Sequence, residues 1–188
     1  MKTLTYFFLI FPIYLMAQEP KNSEKFWSEL SAHWGKAYEG KILEGAVPGD
    51  GFYGEKLVMH VRSCSENEIR ISFFVGENKS RTWVLRLSEN KIINLKHDHR
   101  HLDGTEEELT QYGGISSNHG LADLQMFPAD PYTSQILPAA SSNIWWFTIN
   151  ESTFTYNLRR IGSDRLFSVS FDFSKPIPTP GPPWGTLE

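Results

Sequence analysis

Alternation of apolar and polar residues, renewed in one short segment after another, constrains this chain more than any other feature of it. Leu57–Ser63, Glu68–Val75, Arg81–Leu87, Lys91–His101, Leu109–Ile115, Asn143–Ile149, Phe154–Arg160 and Leu166–Phe173 all follow a period of two, and Lys36–Leu43 adds to the series. That period sends successive side chains to opposite faces of a strand, so each segment buries one face. Turn formers separate the segments: Glu66-Asn67, Gly76-Glu77-Asn78, Glu89-Asn90, Asp103-Gly104, Asn150-Glu151 and Gly162-Ser163-Asp164. Strands on such short connections pair antiparallel, which makes the chain an all-β meander. An open meander leaves two unpaired edges, and closure into a barrel of about 8–10 strands removes them. A β-sandwich is the alternative, since alternation does not separate one closed sheet from two packed ones.

Three stretches break the pattern. Ser23–Gly35 places Phe26, Trp27, Leu30 and Trp34 on one helical stripe, with Ser23 as N-cap and Gly35 just past the end, and predicts one short N-terminal helix. Ser116–Ser142 is too long for a passive connection and reads as a lid or mouth-covering loop. Pro176–Pro183 holds five of the 11 prolines and reads as an extended polyproline tail ending at Trp184.

The N-terminus has the pattern of a secretory signal peptide: a positive Met1-Lys2, an apolar run from Leu4 to Met16, and Ala17 as a small residue at the cut. The run is too short for the roughly 20 residues that cross a bilayer, so no membrane span is expected. The expected organisation is residues 1–17 as signal peptide, 18–175 as a single β-barrel domain and 176–188 as a Pro-rich tail, in a secreted or periplasmic protein. Cys64 is the only cysteine, which rules out an intramolecular disulfide. His60, the histidine closest in sequence, lies about 13 Å back along the same strand, so Cys64 reads as a structural thiol. The 18 Lys and Arg stand against 22 Asp and Glu without a basic patch, which argues against a nucleic-acid partner.

Chemistry concentrates at Lys96–Glu108. His97, His99 and His101 alternate on one strand face, and a two-residue Asp103-Gly104 loop would set His101 opposite Glu106, His99 opposite Glu108, His97 opposite Thr110 and Arg100 opposite Glu107. His99, His101 and Glu106 form the candidate set for a divalent metal, with His97, Glu108 and His119 as alternates. A solvated ion-pair face is the other reading of the same residues. Arg62, Arg81, Trp83, Arg100 and Tyr112 are the candidate ligand-binding residues, because an inward-facing arginine offers a fixed donor to a carboxylate or phosphate and an aromatic ring offers an apolar contact. Arg159-Arg160 poses the same question of facing, and Trp145-Trp146 puts one indole on each face. No Gly-x-Ser-x-Gly elbow or phosphate-binding glycine loop is present in the sequence.

His99-x-His101, Glu106 and Gly113 resemble the first motif of the cupin family, which implies a metal-holding, cupin-like barrel; Ile93 stands where that motif has Gly, and no later histidine follows His119. The segments Met59–Ser65, Val75-Gly76, Ser80–Trp83, Lys96–Arg100, Asp103-Gly104, Thr110–Gly114, Phe127–Asp130 and Pro183–Gly185 together resemble an uncharacterised family of small secreted bacterial proteins, a resemblance that implies export and a single domain. The helix followed by a meander is similar to lipocalin-like and other calycin barrels. The leading expectation is a secreted barrel that binds a small molecule. A metal-dependent enzyme using His99, His101 and Glu106, and a module that engages another envelope protein, are the other two.

Overall fold

A computed structural model describes residues 19–186 of the chain, and the expected signal peptide at 1–17 lies outside the described residues. Ten strands follow one another: β1 (Ala37–Glu44), β2 (Leu57–Cys64), β3 (Glu68–Val75), β4 (Asn78–Leu87), β5 (Ile93–His99), β6 (Tyr112–Ile115), β7 (Leu124–Pro128), β8 (Asn143–Ile149), β9 (Thr153–Arg160) and β10 (Leu166–Ile177). Each pairs antiparallel with its neighbours in sequence except across the β6–β7 gap, and β1 pairs with β10, so the meander curls round on itself into a nearly closed barrel.

The seam between β6 and β7 is held by little backbone pairing. One bridge joins Gly114 to Ala129, and the Asp130 N–H donates to the Gly113 carbonyl at 3.0 Å. Side chains complete it. The buried Thr133 hydroxyl accepts from the Gly113 N–H at 2.6 Å and donates to the Gly113 carbonyl at 2.8 Å, and Lys96 on β5 pairs with Asp130. Asp130 also caps α2 (Pro131–Ile136), accepting from the Thr133 N–H. Glycine is required here, because a Cβ on Gly114 would lie 2.1 Å from the Pro128 carbonyl oxygen.

Inward-facing residues alternate as expected. Leu57, Met59 and Val61 of β2, Ile69, Ile71 and Phe73 of β3, Trp83 and Leu85 of β4, and Phe147, Phe154 and Phe171 of β8 to β10 share one core. The helix α1 (Asn22–Ser31) closes one end, burying Phe26, Trp27 and Leu30 among them. Its start differs from expectation in detail. Lys21 is the N-cap, its N–H bonded to the Glu24 carboxylate at 2.9 Å, while Ser23 is buried and donates to the Lys91 carbonyl. Trp34 is 62% exposed because the helix ends three residues before it and Gly35 turns the chain at φ 77° toward β1.

Two further expectations are corrected. Ser116–Ser142 is not one loop: it supplies β7, without which the barrel has no seam, then α2 and a 3-10 turn at Pro138–Ala140. Pro176 and Ile177 belong to β10, paired with Tyr38 and Ala37, because β1 is an available partner strand and a proline at this position still contributes its carbonyl. The remaining tail lies against the outer wall, where the Trp184 N–H donates to the Lys79 carbonyl at 3.1 Å. No helix among the described residues is long and apolar enough to cross a membrane.

Candidate functional site

Helix α1 fills one end of the barrel; the other end is the mouth. There the chain places the β1–β2 loop, the β3–β4 and β9–β10 turns, the long β5–β6 excursion and the segment after α2. A cavity of about 250 Å3 opens between them, lined by Phe52, Phe73, Arg81, Trp83, His97, His99, Tyr112, Leu137, Asn143, Trp145, Tyr156, Leu158, Arg160, Arg165 and Phe167, with Thr82 at its border. The strand parity that buries Ile71 and Leu85 lower down turns Arg81, His97 and His99 inward near the mouth.

Aromatic rings make the floor. Trp83 stacks on Tyr156 with centroids 4.4 Å apart and planes 9° apart, and His97 stacks on Tyr112 at 4.6 Å and 10°. The polar atoms of this floor are bonded to one another. The Tyr112 carbonyl only accepts, so the Nδ1 that contacts it at 3.2 Å carries the proton of neutral His97, leaving Nε2 to accept from the Tyr156 hydroxyl at 3.0 Å. Burial pushes the His97 imidazole down to about 3, with the nearby His99 adding to the effect, so it is neutral across the ordinary pH range. His99 is also lowered, by burial and then by the charge of Arg81, despite Glu107 at 3.5 Å from its Nδ1; its Nε2 meets the Tyr112 hydroxyl at 3.1 Å. Burial raises the Tyr112 phenol to about 12 and Tyr156 well above its usual range, so both keep their protons.

The arginines of the mouth differ from the floor. Arg81 lies opposite His99 on β4, its guanidinium 5.6 Å from the Phe52 ring centroid, and its buried Nη1 has no hydrogen-bond partner among the described residues. Arg160 donates from Nε to the Asn143 side chain at 3.0 Å. Among the described residues, none of Arg81, Arg160 and Arg165 forms an ion pair.

The expected hairpin has a different register, and that divides the candidate metal set. The His101 N–H donates to Thr105, the Glu107 N–H to His99, and Arg100 bridges Glu106, so opposed residues sum to 206 rather than 207. The cause is a three-residue loop closed by Gly104 at φ 88° in place of a two-residue Asp103-Gly104 loop. A one-residue slip exchanges the faces of a strand. Glu106 therefore goes to the outer wall, where Arg100 Nη2 meets it at 3.0 Å, while His99 stays inside and His101 is exposed at the turn. Farther along, Glu108 to Thr110 are extra residues in the register, with Thr110 buried and accepting from the His99 N–H at 2.8 Å, and Gln111 takes φ 58°, so His97 faces Tyr112 rather than Thr110. Glu108 is exposed, and His119 donates to the Asn90 carbonyl at the helix end, away from the mouth. No cluster of three His, Cys, Asp or Glu side chains arranged to hold a metal ion occurs among the described residues.

Of the candidate ligand residues, Arg81, Trp83 and Tyr112 line the cavity. Arg62 and Arg100 do not. Both lie on the outer wall, in a groove under Pro183–Thr186, because the inward face of β2 is Leu57, Met59 and Val61 and that of β5 is Ile93, Leu95, His97 and His99. There Asp98 accepts from Arg70 at 2.6 Å and from Arg100 at 2.7 Å. Cys64 is half-buried against the core, and burial raises its thiol. Comparison with family models, curated proteins and solved structures returns no match. The site therefore rests on its own geometry. Asn143, Tyr156, Arg160, Arg165 and Phe52 belong to it without having been candidates; Arg160 had a signal in its dipeptide, whereas Arg165 sits in a turn that no local pattern separates from a solvated one.

Proposed function

We propose that this is an exported protein that binds a small molecule inside its barrel, at the end opposite α1. The observation that carries this reading is the cavity itself: about 250 Å3, floored by stacked aromatic rings and edged by convergent polar groups. Sites for small ligands are concave and mostly apolar, with a few placed polar atoms. Export rests on Met1–Ala17 of the sequence, and N-terminal sequencing of the protein recovered outside the cytoplasm tests it: a start near Gln18 is expected, and an intact Met1 counts against it.

Trp83 and Trp145 line the cavity, so tryptophan fluorescence reports occupancy directly. Single-ring aromatic probes such as benzyl alcohol and phenylacetate should raise the melting temperature and change this fluorescence in the native protein. Replacing Leu137 at the rim by Trp should obstruct both effects. Equal responses in the native and Leu137→Trp proteins would place binding elsewhere and refute the reading.

A further inference from the structure

Resting on that reading of the cavity, we propose that its ligand is a compact aromatic carboxylate, whose anionic group is received by Arg81 with Arg160 and Arg165 at the rim. Charge is the first argument. Three guanidinium groups line the cavity and no Asp or Glu does. Glu107, beside His99, is engaged with that imidazole at 3.5 Å. Elsewhere the same chain does pair its arginines: on the outer wall Arg70 and Arg100 share Asp98, and Arg86 and Arg70 share Glu68. Arg62 and Arg159, outside the cavity, also lack an ion pair among the described residues, so what marks Arg81, Arg160 and Arg165 is that all three line one cavity without a carboxylate among its walls.

Hydrogen bonding is the second argument. His97, Tyr156 and the Tyr112 carbonyl satisfy one another, and the Tyr112 hydroxyl is taken up by His99. The orphan among these polar groups is Arg81 Nη1, buried and without a partner among the described residues. A buried charged donor without an acceptor is costly, and a neutral ligand would leave that cost in place. A carboxylate offers the planar two-oxygen edge that a guanidinium fits.

Shape supplies the remainder. A volume of about 250 Å3 equals that of roughly eight liquid waters, enough for one ring or a fused pair with a short arm and too little for a long acyl chain. Flat walls of Trp83, Tyr156 and Phe73 suit an unsaturated body, since Phe73 also stacks on Trp83 with centroids 4.6 Å apart.

Calorimetric titration of the mature protein with trans-cinnamate and indole-3-acetate, each against its own amide and against inorganic phosphate, tests this. The acids should bind at least tenfold tighter than their amides, and phosphate should compete weakly. Arg81→Met should erase the preference for acid over amide, Arg81→Lys should retain part of it, and Arg100→Met on the outer wall should leave it unchanged. Equal binding of acid and amide would overturn the anionic assignment and leave the cavity reading standing. Phosphate competing as tightly as the acids would overturn the aromatic class. If neither acids nor amides bind, the aromatic carboxylate assignment is overturned, while the cavity reading stands or falls on the single-ring probes and Leu137→Trp.

Discussion

His97 shows how a polar residue becomes part of a core. Its ring packs against both Tyr112 and Trp145, and both nitrogens are engaged, so the fold accommodates it as a neutral group. His33 at the other end is similar, stacked on Phe173 with centroids 3.5 Å apart and bonded to Tyr38, and burial pushes its pKa down to about 4. In the unfolded chain both titrate near the ordinary imidazole value of 6.5. Below that value the unfolded state binds protons that the fold refuses, so stability is complete above about pH 6.5 and is lost as pH falls toward 4. Thermal melts between pH 7.5 and 4.5 should show a falling midpoint, and His97→Gln should flatten the slope. A midpoint that does not move over that range would mean that these imidazoles are not held neutral. Arg81 is the converse case. It is a charge without a partner, so Arg81→Met should leave the melting temperature level or raise it, as happens when a functional group sits at a cost to stability.

At the scale of elements, the weak point is the junction of β6 with β7. Strand pairing there is one bridge, and Thr133 substitutes for the missing ladder by satisfying both backbone groups of Gly113. Thr133→Val keeps the shape and removes those bonds, leaving the buried Gly113 N–H without a partner while its carbonyl keeps the Asp130 N–H. A loss of about 1–3 kcal/mol is expected, read from chemical denaturation. Amide exchange should quicken at Gly113, Gly114 and the facing Ala129 while β2 to β4 stay protected; unchanged exchange at the seam would mean that the barrel closes by other means. The β5–β6 hairpin carries the other element-scale lesson. Loop length decides parity there: a two-residue turn sets Glu106 beside the histidines, and the three-residue turn sends it to Arg100 on the outer wall and brings Glu107 to His99.

On the scale of the whole molecule, the interior core and the outer-wall contacts of the tail are separate. Ala37, Val58 and Phe74 form a small cluster outside the barrel with Ile177 packed on it, and beyond Ile177 the chain runs over the wall to Pro183 and Trp184. Deleting residues 178–188 should leave the barrel folded and the mouth intact, lowering the melting temperature by about 2–8 °C for a loss of about 1–2 kcal/mol. Wholesale unfolding of that variant would show that the tail is part of the cooperative core. Period two determined, from sequence alone, that the chain is all-β, that Trp83 and Trp145 face the side away from Thr82 and Trp146, and that one short helix carries Phe26 and Leu30, because parity and helical spacing are local properties. Which parity is the inside of β2, how many residues close the β5–β6 turn, and that Arg160 and Arg165 of the β9–β10 corner line the same cavity as Arg81 were decided only by the tertiary structure. The last of these brings residues some 80 positions apart in the chain to one cavity, through closure of the sheet rather than any local spacing.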